Sequence, residues 1–156
     1  MLNVALAKGR LADSCADLFV RCGIRAEILK EETRKLVLET PDKKFRFFFV
    51  KPTDVPTYVE YGIADIGVAG KDTLLEAGAD LYEMLDLGFE KCRLCVAGFP
   101  EMKGHLGKPR LRVATKYVNT AKKLYYSRGE EVEIIPPHGS HQLGPATGSG
   151  AVHCQT

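Results

Sequence analysis

The chain has 156 residues, 45% hydrophobic and 27% charged, and its 22 Lys and Arg nearly balance 20 Asp and Glu for a net charge of +2. That length supports about one domain or two small lobes, and a near-neutral chain without a long basic tract gives no warrant for a nucleic-acid partner. No apolar run approaches the roughly 18 residues of a membrane span, and the apolar part of MLNVALAKGR is too short for a signal peptide, so a cytoplasmic protein is expected.

In chain order, residues 2–6 form a short apolar run that predicts a buried strand. Lys8-Gly9-Arg10 follows, and then apolar residues at 11, 15, 18, 19 and 22 give a helical stripe that Gly23 ends. A strand-to-helix turn points backbone N–H groups and the positive end of the helix dipole outward. Two cations there suit an anion; the alternative is a solvated turn in which Gly9 only supplies backbone freedom. KLVLE (35–39) and FRFFFV (45–50) read as strands around a Pro41-Asp42 turn. Thr53 or Asp54 can cap a helix through Glu60, with Pro56 in its first turn and Gly62 past its end. ADIGVA (64–69) is a further strand, and a helix over 72–77 stops at Gly78.

Residues 84–88 and 92–98 read as strands, and FPEMKGHLGKPR (99–110) as a loop. Residues 111–114 are a strand, Asn119 caps a helix through Arg128, Gly129 ends it, and 132–135 is the next strand. Strand and helix alternate nearly throughout, which argues for an α/β sheet of βαβ units. A division near 87–91 makes two sheets plausible, with a cleft between them as the natural ligand site.

The five cysteines lack regular spacing and fit reduced thiols. Cys92 and Cys95 form a C-x-x-C, but in a strand residues three apart point to opposite faces, which disfavours a bridge. The segment GSHQLGPATGSGAVHCQT carries no Lys, Arg, Asp or Glu. It holds His141 and His153, just after His138. A metal-binding tail with Cys154 is conceivable, yet the spacing fits no zinc pattern, and composition favours an anomalous, poorly ordered terminus.

Polar residues at strand ends and helix starts are where α/β proteins place ligands. Here they are Lys8, Gly9 and Arg10; Lys51; Asp65, Gly67, Gly70 and Asp72; and Thr115 with Lys116. A cation stands at three of these four places, which suits a ligand with more than one phosphate. Gly67 and Gly70 permit close backbone approach to a ligand, and Asp72 can cap the helix it opens. No serine–histidine–acid order and no H-E-x-x-H appears, so hydrolytic nucleophile chemistry has no support. Arg34, in EETRKLVLE, starts a strand and can face either solvent or a cleft.

LAKGRL, TRKL, KPTDVPTYVEYGIADIGVAGKDTLLE (51–76), KCRLCVAG, RVATKY and Gly139-Ser140 occur in the order found in one family. Over about residues 1–140 the chain resembles the short-form catalytic subunits of the ATP phosphoribosyltransferases. The resemblance implies a two-lobed, periplasmic-binding-protein-like (type II) α/β architecture. Its first lobe is expected at 1–88 and part of its second at 89–138, with an anomalous tail at 139–156 and an incomplete C-terminal part. It implies transfer of a 5-phosphoribosyl group from phosphoribosyl pyrophosphate to ATP at the start of histidine biosynthesis, with Mg2+ bound to the substrate pyrophosphate. A histidyl-tRNA-synthetase-like regulatory subunit is the implied partner. Arg10 and Arg34 are implied for charge stabilisation, Lys8 and Lys51 for phosphate contact, and 65–72 for the nucleotide side.

Two departures matter. Lys51 stands where relatives commonly carry arginine, which keeps the charge but loses the planar fork. After Gly-Ser the family's acid is Gln142, its alanine is Gly144, and the phosphate loop is missing. A shifted frame near 136 is one explanation, and the expected result is impaired transfer. The competing reading is a cytoplasmic small-molecule-binding domain without catalysis, since fold does not determine function.

Overall fold

The computed structural model describes residues 1–31, 33–98, 111–136 and 150–155. Two compact units, Met1–Glu90 and Lys91–Thr156, divide the chain. The expected loop at 99–110, the departures at Gln142 and Gly144, and His138 and His141 lie outside the described residues.

The first unit is built around β1 (Leu2–Ala7), in which Val4 to Ala7 are at most 4% exposed. An uninterrupted apolar run without alternation is what a strand covered on both faces requires. Accordingly β1 runs parallel to β3 (Phe45–Val50) on one side and to β4 (Ile66–Val68) on the other. The strand β2 (Val37–Glu39) pairs antiparallel with β3, giving the order β2-β3-β1-β4.

Helix α1 (Arg10–Arg21) places Ala12, Cys15 and Ala16 in one core with Val4, Leu6, Phe47 and Phe49. Helix α2 (Val55–Glu60) packs Val55 with Ala5 and Ala64, joined by Val50, Tyr58 and Val59. Neighbouring strand residues point to opposite faces, so Val4 and Leu6 on one side and Ala5 on the other make this a three-layer α/β/α arrangement. Pro56 sits in the first turn of α2, where a missing N–H leaves no hydrogen bond unmade. The expected β2–β3 turn forms around Thr40, whose hydroxyl accepts the Phe45 N–H at 3.1 Å and donates to Asp42 at 2.5 Å.

Some expectations are corrected here. Residues 84–88 form no strand; no strand pairs with them, and Met84 and Leu85 stand 84% and 73% exposed. Helix α3 spans Lys71–Ala77 with Gly70 at its N-cap, so Asp72 lies inside the first turn and does not cap it.

In the second unit, β5 (Arg93–Ala97), β6 (Leu111–Ala114), β7 (Val132–Ile135) and β8 (Gly150–Gln155) form a sheet in the order β5-β8-β6-β7. Helix α4 (Val118–Ser127) packs Ala121 and Tyr125 on Leu111 and Val113. Its N-cap is Tyr117, which puts Asn119 in the first turn instead of at the cap. Strand β8 falls in the segment whose composition predicts no regular element. Its backbone pairs antiparallel with β5 and parallel with β6, and such pairing depends on neighbouring strands as much as on side-chain pattern.

Candidate functional site

Because β1, β3 and β4 are parallel, their C-terminal ends share one edge of the first sheet, with Ala7 beside Val50 and Leu6 beside Val68. That edge carries Lys8-Gly9-Arg10 after β1, Lys51 after β3, and Gly70 to Asp72 after β4. Strand β2 runs the other way, so the residues before it reach the same edge. The Phe49 N–H donates to the Leu36 carbonyl at 2.8 Å, two residues past Arg34. The topology thus gathers Lys8, Arg10, Arg34, Lys51 and Lys71 from four separate stretches. The β1–β4 neighbourhood is also a switch point: α1 leaves β1 along one face while α2 reaches β4 along the other, and open α/β sheets bind ligands at such points.

Gly9 is required at the first turn. Its φ of 101° and ψ of −157° lie in a region nearly confined to glycine. Its carbonyl accepts the Ala12 N–H at 2.8 Å and so starts α1, with no side-chain hydrogen bond capping that end.

Arg10 is exposed, with its Nε 3.9 Å from the Glu90 carboxylate. The Ser14 hydroxyl donates to the other Glu90 oxygen at 3.5 Å. Glu90 holds a left-handed φ of 49°, so this carboxylate is presented from a strained position. Lys8 Nζ donates to the Thr33 carbonyl at 2.9 Å and lies 5.4 Å from the Phe49 ring centroid. Lys71 forms an ion pair with Glu83. Arg34 and Lys51 are exposed. Glu90 and the Thr33 carbonyl escaped sequence reasoning, because neither a lone acid in LGFEKC nor a main-chain oxygen leaves a pattern. Lys71 stood within the quoted AGKD.

Two expected ligand residues have a part in the fold. Asp65 lies at the opposite, N-terminal end of β4. Its carboxylate accepts the Asn3 N–H at 2.7 Å and its own N–H donates to the Asn3 carbonyl at 2.9 Å, extending the β1–β4 pairing. Gly67 sits within β4, where an added Cβ would stand 2.7 Å from Val55 Cγ1 and 2.9 Å from Val59 Cγ2. Its bareness seats α2 against the sheet. Gly67→Ala is therefore expected to destabilise the first unit by about 1–3 kcal/mol through overpacking. Chemical denaturation read by circular dichroism checks this; an unchanged midpoint would show that α2 yields freely. Gly70 is at the edge, and a Cβ there would collide with the Asp72 carboxylate.

In the second unit, Thr115 and Lys116 follow β6. Thr115 is fully buried, its N–H donating to the Ile135 carbonyl at 3.1 Å and its Oγ1 accepting the Tyr117 N–H at 3.0 Å. Thr115 thereby fixes the turn into α4, while Lys116 is exposed with Nζ 4.9 Å from the Tyr117 ring centroid.

Chemically, the first-sheet edge offers cations, main-chain donors and no activated nucleophile. Cys15, in the second turn of α1, is buried, and that burial pushes its thiol up to about 11, so it stays protonated at neutral pH. Among the described residues no three His, Cys, Asp or Glu converge as metal ligands, and no helix is long and apolar enough to cross a membrane. The arrangement can hold and neutralise phosphate groups.

Comparison with known proteins agrees with that chemistry. Residues 51–152 match the family model described as HisG: ATP phosphoribosyltransferase. An ATP phosphoribosyltransferase of Ruminiclostridium cellulolyticum is 50% identical over 153 residues, which cover 97% of this chain and 72% of the relative. One from Bacillus licheniformis is 46% identical over 147 residues, covering 94% and 68%. Among solved structures, a chain of the ATP phosphoribosyl transferase (HisG:HisZ) complex from Thermotoga maritima superposes with a TM-score of 0.76 at 30% identity, over 100% of this chain and 75% of that one. With an edge of phosphate-seeking cations on a mixed α/β fold and half its residues shared with such enzymes, this chain belongs to the ATP phosphoribosyltransferase family.

Proposed function

We propose that the chain transfers the 5-phosphoribosyl group of phosphoribosyl pyrophosphate to a ring nitrogen of ATP, the first step of histidine biosynthesis. In that reaction the bond from the anomeric carbon to pyrophosphate breaks, its electron pair leaving with the pyrophosphate. The nitrogen lone pair forms the new bond to carbon. No protein nucleophile is needed; holding the two substrates in line and stabilising the departing anion supply most of the rate. The observation that carries this reading is the gathering of Arg10, Arg34 and Lys51 at the C-terminal edge of β1 and β3.

Arg34 and Arg10 are assigned to the departing pyrophosphate, because a guanidinium can grip a phosphate in two places. Lys51 adds a point charge. Gly70 and Asp72 border the same edge; within the second unit, Lys116 is the exposed cation that follows β6. Mg2+ would come as the companion of the substrate: it keeps several waters and is bound mainly by phosphate oxygens, with one or two carboxylates such as that of Asp72 at this edge. The finer architecture is two lobes of the periplasmic-binding type II kind, the first at 1–88 and the second beginning at 89. The Thermotoga neighbour is a HisG:HisZ complex, which supports a regulatory partner of the histidyl-tRNA-synthetase-like kind; a cytoplasmic setting suits a biosynthetic enzyme of this family.

Titration calorimetry with ATP, phosphoribosyl pyrophosphate and a set of amino acids tests the assignment. Heat with both nucleotide and sugar diphosphate is expected. Binding of an amino acid alone would overturn the assignment in favour of a non-catalytic sensor. Turnover measured beside the Ruminiclostridium relative tests the reduced rate expected from Gln142, Gly144 and their neighbours.

A further inference from the structure

We propose that Lys8 is a positioning residue that acts through Arg34 and is not itself a phosphate ligand; this rests on the reading of the edge as the pyrophosphate site. The ammonium of Lys8 has a definite local engagement. It donates to the Thr33 carbonyl at 2.9 Å and lies over the Phe49 ring at 5.4 Å from the centroid. Arg10 and Lys71, by contrast, face the carboxylates of Glu90 and Glu83. The Lys8 bond joins the turn after β1 to the residue immediately before Arg34.

Further contacts complete the restraint. Thr33 Oγ1 accepts the Lys35 N–H at 3.2 Å, closing a short turn around Arg34. The Leu36 carbonyl accepts the Phe49 N–H at 2.8 Å, fastening the segment to β3. The backbone of Arg34 is thus held from both sides while its side chain remains exposed. A long cationic side chain gains little from being aimed if its root wanders, since ordering it at binding costs free energy that a fixed backbone partly removes. Lys8 is suited to the task because an ammonium bound to a carbonyl makes a charge-assisted hydrogen bond, and the ring face of Phe49 favours a cation.

The test has two readouts on the intact chain. In the absence of ligand, Lys8→Met is expected to speed hydrogen exchange of the Lys35 amide several-fold, because the turn around Arg34 loses its anchor. Pyrophosphate affinity then closes a double-mutant cycle with Arg34→Ala. Lys8→Met alone is expected to weaken binding about five-fold in wild-type background and less than two-fold in the Arg34→Ala background.

Unchanged exchange at Lys35, or the same loss in both backgrounds, overturns the positioning role and makes Lys8 a direct ligand or a spectator, with the site itself intact. Faster exchange combined with pyrophosphate affinity indifferent to Arg34→Ala overturns the site assignment, and the functional role of Lys8 with it. Lys8 is exposed, so the variant is expected to fold.

Discussion

Arg34→Ala is expected to weaken pyrophosphate binding about 10- to 100-fold. A hydrogen bond to a charged group contributes about 1.5–3 kcal/mol, and each 1.4 kcal/mol is about ten-fold in affinity. Arg34 is expected to matter more than Arg10. The Arg10 guanidinium already faces Glu90 at 3.9 Å, and that contact must be given up when an anion arrives. Among the described residues no acid forms an ion pair with Arg34, and the Thr33 clamp fixes its root. Arg34→Lys should recover only part of the loss, because an ammonium keeps the charge and drops the planar fork. Since the side chain is exposed, wild-type affinity should also fall with added salt. Calorimetric affinities for the three proteins check this, and equal affinity in Arg34→Ala and wild type would remove Arg34 from the site.

Phe47→Ala is expected to cost about 3–5 kcal/mol of folding stability, the usual price of deleting a fully buried aromatic side chain. Phe47 is 0% exposed at the middle of β3, opposite Val4 of β1 and Leu38 of β2. Its ring stacks on Phe45 at 6.3 Å between centroids and tilts against Phe19 of α1 at 5.7 Å. The neighbouring Phe48 is only partly buried, and its truncation should cost markedly less. Denaturant unfolding of both variants gives the comparison; equal losses would mean that the two faces of β3 are equally packed. Because β3 carries Lys51 at its end, Phe47→Ala should also weaken anion binding, through the scaffold alone.

Much of the fold was legible from local pattern. The apolar run at 2–6 predicted a buried strand. The alternation of strand and helix predicted the class, and Pro41-Asp42 marked the hairpin. Patterns failed where a residue's job was set by a distant neighbour. In GIADIGVAGKD the pattern gave no sign that Asp65 completes a strand pairing with Asn3 or that Gly67 admits the valines of α2. The apolar residues at 84–88 resemble a strand, yet a strand exists only where another offers its edge.

What the sequence by itself determined is most of the elements and the kinds of group at their ends: cations after the first and third strands, a glycine after the fourth. Those follow from periodicity and turn chemistry, which act over a few residues. Only the tertiary structure decided that β1 lies between β3 and β4 and that β2 runs against them. That choice brings Arg34 to the edge and sends Asp65 to the far end. The physical reason is that strand neighbours, direction and register are fixed by burying both faces of β1 under α1 and α2, a condition that no short stretch of chain contains.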